Sequence, residues 1–118
     1  MVDAERDRRL GLGVAFAGHV YQTREFDIAN MNGAATAAVA AMMQGIQAGD
    51  LRWASQAADF AWIDADNLSV PMDAPSLIGL AQAAMNRRAA LIFAARTIKD
   101  RIASGALLTI GDDALWPT

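Results

Sequence analysis

The pattern of this chain predicts an α+β fold: two β-hairpins, each followed by a helix (ββαββα), forming a four-stranded antiparallel sheet packed on two helices, the second one long. Three observations predict it. The run VAFAGHVY (Val14–Tyr21) alternates around an Ala-Gly pair. The run FAWIDADNLSVPM (Phe60–Met72) alternates on both sides of a polar turn. From Asp73 a helical period runs on to Gly105.

The N-terminal stretch VDAERDRRL reads as a short charged helix, with Asp3 as its cap and Gly11 and Gly13 as its stop. In the first hairpin Val14, Phe16, Val20 and Tyr21 flank Ala17-Gly18, where the glycine supplies the positive φ of a tight turn. Thr23 is placed to cap the first long helix, and Asp27 is the alternative cap. Glu25 and Asp27 sit in the first turn, where the helix dipole favours anions. This helix is expected to run to about Ala48 and to end at Gly49-Asp50. Its larger apolar positions, Ile28, Met31, Ala35, Val39, Met42 and Ile46, recur at spacings of three and four.

Leu51–Asp59 is a connection without a clear period, and Trp53 stands alone in it. Phe60, Trp62 and Ile63 open the second hairpin, Asp64-Ala65-Asp66-Asn67 turns it, and Leu68, Val70 and Met72 return. Pro71 lacks an N–H, so the return strand is expected at an edge. Asp73 caps the last helix, and Pro75 is tolerated in its first turn. Leu77, Ala81, Ala84, Arg88, Leu91, Ala95, Ile98 and Ile102 form its heptad-like stripe, with Ile78, Met85, Ile92 and Phe93 as a second apolar flank. A helix longer than a small sheet needs is expected to project or to pair with another chain. The chain thus divides into a helical stub (1–13), a ββαββα domain (14–104) and a C-terminal tail (105–118).

Composition narrows the function. A length of 118 residues fits one domain, and with no cysteine the core holds without disulfides and offers no thiol chemistry. The net charge of −3 and the low aromatic content argue against nucleic-acid binding. Twenty-seven alanines favour helix but bury little area each. The charged start carries no signal-peptide pattern. The 22 uncharged residues Ile28–Gly49 are long enough to span a bilayer, but Asn30, Asn32, Thr36, Gln44 and Gln47 interrupt them, so a buried or partner-facing helix is the expectation.

Constellations for chemistry are absent. His19 is the sole histidine and reads as a solvent-facing strand residue, with no second histidine or cysteine to complete a metal site. The Asp64–Asn67 turn fails the EF-hand spacing. Gly11 and Gly13 lack the rest of a nucleotide fingerprint. Asp112-Asp113 lies in the tail rather than a cleft. No enzyme, no cofactor and no metal are therefore expected. Candidate partner contacts are Arg8 and Arg9 in the stub, Arg88 on the apolar stripe, Trp53 in the connection, and Leu115 and Trp116 in the tail. Arg88 is placed to snorkel or to pair with an acid on a neighbour. Aromatic side chains in irregular segments fit contact anchors.

GVAFAGHVYQTREFDIANMNGAA, FAWIDADNLSVPMD and RRAALIFAARTIKDRI resemble an uncharacterised domain family of tailed-bacteriophage and prophage tail (fibre-associated) proteins. Phe16, Gly18, Tyr21, Gln22, Asp27, Trp62, Asp66, Asn67, Leu80, Arg88 and Lys99 occupy its pattern, across about Arg8 to Ile102. The resemblance implies a non-enzymatic virion component, made in the bacterial host cytoplasm and located in the tail. Its partners would be further copies of itself and tail or fibre proteins, without nucleic acid or membrane insertion. Some family members carry the domain at the C-terminus of a longer chain, after another segment; with only Met1–Leu10 ahead of it here, a small tail component is expected rather than a receptor-binding fibre. Two alternatives are a transient tail-fibre assembly factor and a small ligand-binding or host-directed domain.

Overall fold

One helix is the spine of the molecule, and the computed structural model describes all of residues 1–118 around it. The order is α1 (Val2–Leu10), β1 (Val14–Phe16), β2 (His19–Tyr21), α2 (Glu25–Met43), β3 (Ala61–Ile63), β4 (Ser69–Pro71) and α3 (Ala74–Ala103), then a 3-10 turn at Asp113–Leu115. The ββαββα order and the long last helix are as expected. At ~1.5 Å per residue α3 is roughly 45 Å long, which accounts for the overall extents of 58 × 28 × 21 Å.

Both hairpins form as read. Ala17 and Gly18 have φ of 50° and 83°, the paired left-handed geometry of a two-residue turn, and Phe16 faces His19 across it. In the second hairpin Trp62 pairs with Val70, and Asn67 takes the left-handed position at φ 64°.

The strands pair only within each hairpin, giving two two-stranded ribbons in place of the expected four-stranded sheet. The reason is visible at the junction. The outer edge of β2 meets the turn of the second hairpin, not a strand, and Ala65 N–H donates to Val20 O at 2.7 Å.

Helix α2 departs from expectation at both ends. Its N-cap is Arg24, whose N–H donates to the Asp27 carboxylate at 3.0 Å, so Asp27 caps from inside the first turn. Thr23 is instead a buried clamp: its hydroxyl donates to Leu10 O (2.6 Å) and accepts from Gly13 N–H (3.1 Å), fastening the stub to the first hairpin. The helix stops at Met43, not near Ala48, because Gly45 takes φ 103° and the N–H groups of Gly45 and Ile46 turn back onto Met42 O and Ala41 O.

The face of α2 that meets α3 also differs from the expected stripe. Ile28 and Met31 are buried, but Ala38 continues the core while Val39 and Met42 face solvent. Alanine permits the close approach of the two helices, and the larger side chains fall on the outer flank.

Helix α3 follows its predicted stripe closely. Asp73 caps it, accepting from Ser76 N–H at 2.9 Å, and also accepts from Gly49 N–H at 2.8 Å, which ties the connecting loop to the helix start. Leu77, Ala81, Ala84, Leu91, Ala95 and Ile98 are buried, while Ile102 is partly exposed.

The stripe serves two separate cores. Leu77, Leu80, Ala81 and Ala84 pack with Val14, Tyr21, Met31, Trp53 and Met72. Leu91, Ala95 and Ile98 pack with Val2 and Trp116. Full burial of each large aliphatic side chain contributes roughly 1.5–3 kcal/mol. The stub and the tail, at opposite ends of the chain, thus close one core together.

Candidate functional site

No grouping of three or more metal-capable side chains occurs in the structure. The best-organised polar cluster is the clasp between the hairpins. Asp64 is buried; its Oδ1 accepts from the N–H groups of Asp66 and Leu68, each at 2.9 Å, and its Oδ2 lies 2.9 Å from His19 Nδ1. These bonds, the one from Leu68 first and that from His19 next, hold the Asp64 carboxyl below its ordinary value of 3.8. His19, expected to face solvent, is therefore part of the hairpin junction. Beside it the Tyr21 hydroxyl is buried without a hydrogen-bond partner. Burial first, and the charge of Asp64 second, push its pKa up. The cluster ties the two hairpins together, and Asp64 also lines the cleft between them.

Three of the six candidate contact residues come together and the other three lie apart. Arg9, Leu115 and Trp116 come together around α3. The Arg9 guanidinium pairs with Glu5 (2.8 Å) and Asp113 (2.7 Å), donates to Gly111 O, and lies 5.4 Å from the Trp116 ring centre. Trp116 is buried, its Nε1 donating to Ile110 O at 2.7 Å, and Leu115 packs against the same core. Trp53 is buried in the other core, where Nε1 donates to Met72 O at 3.0 Å and the ring meets Phe60 at 4.5 Å. Arg88 reaches an acid of its own chain, Glu25 on α2, at 3.1 Å. Arg8 alone is well exposed, paired to Glu5 at 2.7 Å. Hydrogen bonds from Arg8 first, and also from Arg9, hold the Glu5 carboxyl down to about 2. Arg9, Trp53 and Trp116 are thus occupied inside the fold, and Leu115 and Arg88 are partly so.

The free surface lies elsewhere. Phe26, Val39, Met42 and Met43 are exposed on α2, Met43 at 84%. Met85, Ile92 and Phe93 are exposed on α3, Phe93 at 72%. From Ile28 to Met43, α2 carries no charge even on its solvent side, where Asn32, Gly33, Thr36 and Ala40 lie. The flank on α3 was legible in its spacing. The outer face of α2 was not, because Val39 and Met42 matched the core stripe as well as the alanines did.

Two clefts flank the first hairpin. One, of about 420 Å³, lies between the hairpins and holds Arg24, Asp27, Trp62 and Asn67; its cation is already paired, Arg24 Nε to Asp27 at 2.7 Å. The other, of about 610 Å³, lies between the first hairpin and α3 and contains Arg87. Only the docking of the stub, which puts Arg9 O within 2.8 Å of the Arg87 guanidinium, encloses it.

No helix is long and apolar enough to cross a membrane. Neither a curated protein nor a solved structure matches the chain. A family model does match, over residues 1–115, which takes in the stub, both hairpins, the spine and nearly all of the tail, and the chain therefore belongs to the family described as Domain of unknown function (DUF4376).

Proposed function

We propose that this chain is a non-enzymatic structural component of a phage virion, held in the tail or on the tail fibre through contacts with copies of itself and with tail or fibre proteins. The observation that carries the reading is the exposed apolar surface of the two long helices. Phe26, Val39, Met42 and Met43 on α2, and Met85, Ile92 and Phe93 on α3, leave large apolar side chains in water, and exposed apolar surface is where protein partners dock. The placement on a phage tail rests on the resemblance carried by Phe16, Gly18, Tyr21, Gln22, Trp62, Asp66 and Asn67. Those residues build the two hairpin turns and their surroundings, and they carry no chemistry. Symmetric association is the default for repeated particle components.

Two measurements test the reading. Light scattering on the purified chain is expected to give an oligomer, and mass spectrometry is expected to find the chain in purified particles of the phage that encodes it. A monomer that is absent from particles overturns the proposal. A chain absent from particles but bound to fibre subunits before assembly replaces it with the assembly-factor reading.

A further inference from the structure

Of the ten basic side chains, eight stand in ion pairs. The other two are Arg101, exposed near the end of α3, and Arg87, which is half buried. The only hydrogen bond of the Arg87 side chain runs from Nη2 to Arg9 O, at 2.8 Å, so most of its donors are unused. Burial first, and repulsion from Arg9 second, lower its pKa. A guanidinium nevertheless stays charged at neutral pH. A half-buried cation without an ion-pair partner is costly, and a carboxylate bound to it in the two-pronged geometry offsets that cost.

Its surroundings supply the second half of a recognition site. Arg87 opens into the cleft of about 610 Å³, whose walls include Leu12, Ala15, Val20, Ala83 and Asn86 and, from the tail, Thr118. Leu12 and Val20 are exposed there at 57% and 46%. Apolar walls with a few placed polar groups are the ordinary make-up of a binding cleft. Strand β1, which forms one wall, pairs only with β2 and so leaves an edge open to an extended segment. The chain as a whole is acidic, so attraction for an anion is local to this cleft.

We propose that this cleft receives a carboxylate carried on an aliphatic protein segment, the carboxylate on the Arg87 guanidinium and its hydrocarbon neighbour against Leu12, Ala15 and Val20. In taking the occupant to be a protein, the proposal rests on the protein-contact reading above.

Calorimetric titration of the full chain with acetyl-alanyl-leucyl-leucine, bearing a free C-terminal carboxylate, tests it. The peptide is expected to bind, and its C-terminal amide to bind at least about tenfold more weakly. Arg87→Gln is expected to weaken the acid by at least about tenfold and leave the amide unchanged. Because Arg87 also holds the stub, Leu12→Glu is the companion variant: it sets a rival carboxylate at the cleft mouth on an exposed position, and is expected to abolish binding with the melting temperature unchanged. Equal binding of acid and amide, retention of affinity in both variants, or no binding at all overturns the proposal. Binding of octanoate without the peptide overturns the assignment of a protein occupant. Subunit association and particle content are read in separate experiments, so failure of the cleft and failure of the proposed function are told apart.

Discussion

His19 and Asp64, 45 residues apart, close the junction between the two hairpins, with Nδ1 and Oδ2 at 2.9 Å. The clasp gives acid stability a defined sign. The folded Asp64 carboxyl sits below its ordinary value of 3.8, so its contribution is present in full above that value and is lost as the pH falls through the folded one. Melting temperature followed from pH 7 downwards is expected to hold to about pH 4 and then to drop. Asp64→Ala is expected to lower the plateau and to flatten that acid limb. An unchanged acid limb in the variant would assign the loss to other carboxylates, Glu5 foremost.

Tyr21→Phe is expected to stabilise the protein by about 1 kcal/mol, since it removes a buried hydroxyl that has no partner and keeps the ring that fills the core. Chemical denaturation with an unchanged m-value reads this directly. A loss of stability would contradict the unpaired state of the hydroxyl.

Gly13→Ala is expected to destabilise by at least about 1–2 kcal/mol. Gly13 has φ 98°, and an added Cβ would stand 2.8 Å from Tyr21 O. The backbone there is also held by the bond to Thr23, so relief by a local shift costs that bond as well. Thermal melts of the variant and of Gly18→Ala make the comparison, because Gly18 has nothing within 4 Å of its added Cβ.

Trp116→Ala is expected to cost about 3–5 kcal/mol in the isolated chain, as for a large core aromatic. The ring closes the core made by Val2, Leu91, Ala95 and Ile98 and lies under the Arg9 guanidinium. Were Trp116 an outward contact anchor, truncation would leave the melting temperature alone and weaken only association.

Met43→Glu and Phe93→Glu are expected to do the opposite. Both side chains are largely exposed, so each folding free energy should stay within about 0.5 kcal/mol of the parent. Association measured by sedimentation should weaken in one or both. Unaltered association in the double variant would move the contact surface off the two long helices.

The elements themselves were readable from local signals. Ala17-Gly18, Asp64–Asn67, Asp73 and Gly105 each act where their chemistry predicts, because turns and caps are settled within a few residues. What failed was set at long range. Whether two hairpins fuse into one sheet depends on which edge meets which, and Ala65 reaches Val20 through a turn that no periodicity announces. The end of α2 was hidden because Gly45 and Gly49 are equally good stops by type. Trp53 and Trp116 lie in segments without regular structure, which looked like a free surface; each turned inward because a loop or tail folds back onto α3. The pairing of stub with tail, from Arg9 to Asp113, spans 104 residues and leaves no local mark.

The two cores touch α3 at separate stretches, the first ending at Ala84 and the second beginning at Leu91. Across the six intervening positions the helix gives no fully buried side chain to either. One beam therefore carries two loads with an unloaded length between them. Amide exchange should resolve two opening events of unequal free energy rather than a single one, and damage at one end, by heat or by a protease, should leave the other end folded.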